Sequence, residues 1–178
     1  MYFERFYDLG LAHASYLVGC QKTGEAIVID ASRHTQPYHQ AARAQGLRIV
    51  AVTETHIHAD YLSGSRQLAQ ETGAKMFLSG EGGADWTYQF ARPEDVFVHD
   101  GDLIPIGNLT FKVLHTPGHT PEHIAFLLTD HPASQVPVGA FTGDFIFVGD
   151  VGRPDLLERA AGFRDTMKKG AQQLYRSL

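Results

Sequence analysis

The segment RIVAVTETHIHADYLSG, residues 48–64, decides how this chain is read. Its first six residues are rich enough in β-branched side chains for a strand buried on both faces, as strands inside parallel sheets are. Directly after that strand come His56, His58 and Asp60 in the spacing H-x-H-x-D. A polar turn in which Asp60 caps the following helix accounts for Asp60 but for neither imidazole. A metal-binding loop accounts for all three. The helix itself is expected from Asp60 through Glu71, with Leu62, Leu68 and Ala69 on its apolar side and Gly73 ending it.

Upstream, strands are expected near residues 2–7, 15–19 and 26–29, followed by a short helix, PYHQAARAQ, opened by Pro37 and stopped by Gly46. Downstream, KMFLS (75–79) reads as the next strand, and the stretch from Gly80 to Pro93 as a glycine-rich connection holding Trp86. LIPI and LTFKVL flank Gly107-Asn108, a two-residue hairpin signal. IAFLL (124–128) and VGAFT (138–142) read as further strands. Phe163, Met167, Ala171, Leu174 and Leu178 recur at spacings of three and four, which predicts a closing amphipathic helix. Strands alternating with helices, without repeat or linker, predict one α/β domain over residues 1–178.

Composition narrows the function. The chain has 178 residues, a net charge of −5, one cysteine and ten histidines. An acidic chain lacks the basic footprint for nucleic acid. Cys20 alone cannot form an internal disulfide, so a reducing cytoplasm is expected, with Cys20 as a small buried hydrophobe. The opening MYFERFYDLG carries Glu4, Arg5 and Asp8 where a secretory leader needs an apolar run, and no segment is long and apolar enough to suggest a membrane span.

The histidines are gathered. His115, His119 and His123 lie in H-T-P-G-H-T-P-E-H after LTFKVL, where Pro117, Gly118 and Pro121 forbid a regular helix. Asp144 follows VGAFT in T-G-D. With His56 and His58, three ligand-bearing loops leave the C-terminal ends of predicted strands, where α/β sheets bind ligands. His13, His34, His39, His99 and His131 are isolated, and a surface or hydrogen-bonded role is expected for each.

T-H-I-H-A-D, then G-H-T, then T-G-D resembles the signature of the metallo-β-lactamase superfamily. H-A-D-Y-L-S-G, H-T-P-G-H-T-P-E-H and F-T-G-D-F-I-F-V-G-D-V-G-R-P-D-L-L are similar to its bacterial persulfide dioxygenases, notably those fused to a rhodanese domain. The resemblance implies an αβ/βα sandwich with the site at one edge. It implies His56, His119 and Asp144 as ligands of one Fe(II) per chain, with Zn as the alternative metal. Such a facial triad leaves three positions open for substrate and dioxygen. His58 and Asp60 become supporting residues or remnants of a second metal site, and His115 and His123 hydrogen-bond partners of the ligand loop. Tyr61 stands where the two-metal hydrolases carry a histidine, and a phenol is a poor zinc ligand. Their C-terminal histidine has no counterpart here, and the resemblance implies a domain without its final strand. Arg153, in V-G-R-P-D, is expected either to orient the substrate or to support its loop through Asp155; it and Tyr61 are the catalytic candidates.

The implied reaction oxidises a small thiol persulfide, such as glutathione persulfide, with dioxygen to sulfite and thiol. Two other readings stand beside it: a zinc-dependent thioesterase of the glyoxalase II type, and an inactive metal-binding fragment that dimerises through an uncovered edge. No rhodanese segment is present, so a rhodanese is expected only as a separate partner.

Overall fold

The computed structural model describes residues 1–159 and 166–178. The first sheet holds β1 (Tyr2–Asp8), β2 (His13–Cys20), β3 (Glu25–Ile29), β4 (Arg48–Thr53), β5 (Lys75–Ser79) and β6 (Val96–Val98), side by side in that order. β1, β2 and β3 pair antiparallel, and β3 through β6 pair parallel. The parallel connections carry α1 (Gln36–Ala44) and α2 (Ser65–Thr72). The second sheet is antiparallel, in the order β10 (Gly139–Phe141), β9 (Ile124–Asp130), β8 (Leu109–His115), β7 (Leu103–Ile106). A small hairpin of β11 (Ile146–Phe147) and β12 (Asp150–Val151) follows, then α3 (Leu156–Arg159) and α4 (Thr166–Ser177). No helix among the described residues is long and apolar enough to cross a membrane.

Alternation along the strands builds two cores. On β3, Ala26 and Val28 face the helices, where they join Leu17, Val52, Tyr38, Ala42 and Leu68. Ile27 and Ile29 face the second sheet and meet Val18, Ile104, Phe111, Val113 and Phe126. β4 is buried on both sides, with Val52 in the helix-side core and Ala51 between the sheets. Each fully buried aliphatic or aromatic side chain contributes about 1.5–3 kcal/mol relative to exposure. The Gly107-Asn108 turn closes β7 onto β8 with Ile106 opposite Leu109. Cys20 is buried between the sheets, and its sulfur accepts the Asn108 N–H at 3.3 Å.

Three expectations change. The helix predicted from Asp60 begins only at Ser65. Residues 60–64 stay irregular because Gly64 N–H donates to Ala31 O (2.9 Å), the Ser63 hydroxyl donates to buried Glu54, and Ser63 Oγ accepts Ser65 N–H. Asp60 therefore caps nothing, and Leu62 is 70% exposed. The closing helix forms, but its buried residues are Gly170 and Leu174, whereas Met167, Ala171 and Leu178 are exposed. It packs against the backbone at Gly118 and Pro154, which admits a glycine and not an apolar stripe. Phe163 lies outside the described residues. Finally, β6 and the β11–β12 hairpin form where no strand was expected.

Candidate metal centre

β3, β4, β8 and β10 end at one edge of the sandwich, and each passes polar residues into it: Asp30, His56, the 115–123 loop and Asp144. Ile124 N–H donates to Thr55 O (2.8 Å), which ties the start of β9 to the end of β4. One ligand atom from each of His56, His119 and Asp144 lies within 4.8 Å of the others. His119 Nε2 is 3.4 Å from Asp144 Oδ2.

The remaining ring nitrogens are committed, which leaves the facing ones for a metal. Buried Asp30 accepts Thr55 N–H at 2.7 Å and the Thr55 hydroxyl at 2.9 Å. With its proton given to Asp30, Thr55 Oγ1 accepts from His56 Nδ1 at 2.9 Å. His56 Nε2 therefore carries a lone pair. Burial first, then the nearby rings of His58, His123 and His119, holds His56 well below the ordinary imidazole value, so it is neutral and ligand-ready. His119 Nδ1 donates to the Arg153 carbonyl at 3.2 Å, which directs Nε2 toward Asp144. Two imidazoles and one carboxylate at such spacing fit a divalent first-row ion.

His123, fully buried, donates from Nδ1 to Thr116 Oγ1 (2.8 Å) and accepts Asp144 N–H on Nε2 (3.1 Å). Burial pushes its pKa down to about 3. It stays neutral, with its one proton on Nδ1, and fixes the backbone of the Asp144 turn. Gly143 sits beneath with φ +48°, and a Cβ there would lie 2.5 Å from Thr55 Oγ1 and 2.8 Å from His123 Nε2. His115 Nε2 donates to Pro121 O at 2.9 Å and braces the same loop. Burial raises the Asp144 carboxyl pKa, against the opposing charge of His119.

The other expected site residues are placed differently. His58 turns its Nε2 to Asp30 Oδ1 (3.1 Å), away from a ligand role through that atom. Burial opposes its protonation, but the charges of Asp30, Glu54 and Asp60 outweigh it and raise its pKa. Asp60 is exposed on the wall of a cleft of about 890 Å³ that Asp144, His58 and His13 also line. Tyr61 directs its hydroxyl to Asp30 O (3.4 Å), and burial holds its pKa far above the usual value. The Arg153 side chain is 59% exposed and grips Asp155 through two bonds of 3.0 and 2.7 Å. Of its two expected roles the geometry displays loop support, and its carbonyl orients His119.

Several residues were not anticipated. Asp30 and Thr55 set the His56 tautomer. Glu122, fully buried, accepts Ile57 N–H (2.7 Å) and the Thr120 hydroxyl (3.0 Å), so it clamps the His56 loop to the His119 loop. His13, isolated in sequence, lies with its ring 4.0 Å from Tyr61 and its Nε2 buried without a partner. His39 and His131 make the surface hydrogen bonds expected of them, to Glu71 and Thr110.

Comparison with known proteins agrees with the geometry. The chain is 33% identical over 149 residues to human "Persulfide dioxygenase ETHE1, mitochondrial", covering 83% of this chain and 53% of that protein. It is also 33% identical over 160 residues to a "Hydroxyacylglutathione hydrolase" of Rhodospirillum rubrum, covering 86% and 55%. A crystal structure described as a metallo-beta-lactamase from Staphylococcus aureus is 51% identical and superposes with a TM-score of 0.93, covering 99% of this chain and 51% of that one. The chain thus spans about half the length of these relatives. With the profile of the Metallo-beta-lactamase superfamily matching residues 9–177, and a His, His, Asp cluster at the edge of a two-sheet sandwich, the chain belongs to the metallo-β-lactamase superfamily.

Proposed function

We propose that the chain oxidises a low-molecular-weight thiol persulfide: RSSH + O2 + H2O gives RSH + sulfite + 2 H+. The terminal sulfur loses four electrons, dioxygen gains them, and the S–S bond breaks to release the thiol. The observation that supports this reading best is a single convergent donor set among the described residues. His56, His119 and Asp144 meet, while His58 is held by Asp30 and Tyr61 replaces a further imidazole. When bound, Fe(II) supplies redox capacity and open coordination positions. The chain's own residues do the rest. Asp30 and Thr55 fix the His56 tautomer, the Arg153 carbonyl aims His119, and His123 holds the Asp144 turn. The cleft beside Asp144 has an aromatic wall of Phe3, Tyr16 and Phe141, suited to a small thiol carrier. A separate rhodanese and a cytoplasmic setting fit the same reading.

A zinc thioesterase is the second reading, favoured by the hydrolase relative at equal identity. Metal analysis after anaerobic purification, with oxygen uptake on glutathione persulfide, separates them. One iron per chain with sulfite release is expected. Stoichiometric zinc with thioester cleavage and no oxygen uptake would overturn the dioxygenase.

A further inference from the structure

We infer that Arg5 anchors the anionic end of the thiol carrier, which makes it a specificity-determining residue; the inference rests on the proposed use of a small acidic thiol. Strand alternation carries Met1, Phe3, Arg5 and Tyr7 to the cleft side of β1. Arg5 sits opposite Tyr16 in the β1–β2 register. Tyr16 lies 5.1 Å, ring centre to ring centre, from Phe141, three residues before the ligand Asp144. Arg5 therefore stands across the aromatic wall from the metal ligands.

Charge makes this position selective. The acidic side chains that line the cleft are Asp30, which is bound to His58, with Asp60 and Asp144, and the Met1 amino group lies 3.6 Å from Asp130. Among the described residues Arg5 has no carboxylate partner, and its guanidinium lies 5.3 Å from the centre of the Tyr7 ring. An aromatic face orients a guanidinium without consuming its forked donors, which suit a carboxylate or a phosphate. Carboxylates at the reacting end repel an anionic group, and the arginine at the far end attracts it. A carrier with sulfur at one end and negative charge at the other is thereby given a direction.

Calorimetric titration of the metal-loaded protein with unreactive thioethers tests this without turnover. S-methylglutathione presents carboxylates and S-methyl coenzyme A presents phosphates. Arg5→Gln should weaken one of them by about tenfold to a hundredfold, the range for losing a charge-assisted bond. Arg5→Lys should restore part of the loss, and the Gln variant's melting temperature should match the wild type's. Which thioether responds identifies the anion. Unchanged binding of both by Arg5→Gln, or binding of neither by the wild type, overturns the inference. Arg5-dependent binding without sulfite production would sink the dioxygenase reading and leave the anchor standing.

Discussion

Asp30→Asn should switch the tautomer of His56 and weaken metal binding. Asp30 directly follows β3 with φ +54°, a left-handed conformation that asparagine tolerates, so the substitution tests hydrogen bonding and not backbone strain. Oδ1 accepts Thr55 N–H and His58 Nε2–H, and Oδ2 accepts the Thr55 hydroxyl. In asparagine one oxygen becomes an NH2 group. If the amide oxygen keeps the two N–H donors, the NH2 faces Thr55 Oγ1 and donates to it. The hydroxyl proton must then turn to His56 Nδ1, and the imidazole proton moves to Nε2, the atom a metal needs bare. Loss of such an outer partner costs about 10-fold to 100-fold in metal affinity. Asp30→Ala does more, because it strands buried His58 and Thr55 N–H. Breaking a buried pair costs about 3–5 kcal/mol. At about 2–4 °C per kcal/mol for a domain of this size, the melting temperature falls by roughly 6–20 °C. Metal titration of the apo protein and scanning calorimetry read the two effects. Wild-type metal affinity in Asp30→Asn would refute the relay.

Glu122→Ala should leave Ile57 N–H buried without an acceptor, at about 1–3 kcal/mol, and loosen the two ligand loops. Burial raises the Glu122 pKa, so Glu122→Gln, which keeps Oε1 and drops the charge, should be at least as stable as wild type at neutral pH; equal losses in both variants in a denaturant titration would count against the clamp. Hydrogen bonds from Gln67, His39 and Thr35 hold the Glu71 pKa down to about 2. A depressed carboxylate stabilises above its unfolded pKa, near 4.3, and that contribution fades as pH falls toward 2; at 34% exposed it is worth less than about 1 kcal/mol. Glu71→Gln should flatten stability across that window, and an unchanged slope in acid titrations would exclude this role.

What the sequence discloses about the site, and what it hides, follows from how each residue acts. The loops that carry His56, His119 and Asp144 are legible because ligation demands particular side chains, and buried strands followed by imidazole or carboxylate are visible in a linear string; the choice of these three within the loops comes from the resemblance to the superfamily. The α2 start is not, because it depends on Gly64 reaching Ala31 O and on Ser63 reaching Glu54, contacts that no periodicity encodes. The α4 stripe misleads in part for a related reason: the helix meets a glycine backbone, so its buried face is marked by Gly170 and Leu174 and not by the other apolar residues of the stripe. Asp30 and Glu122 act on partners 25 and 65 residues away, and any polar acceptor would look the same in sequence. A signal for Asp30 was nevertheless present. It ends the apolar run AIVI as Asp144 follows VGAFT, and an aspartate at the end of a buried strand must find donors or lie at an opening. The same logic reaches His13 and Arg5. Both sit on strands whose alternation puts one row of residues into the core or the cleft, so an isolated cation or imidazole on that row already points toward the site.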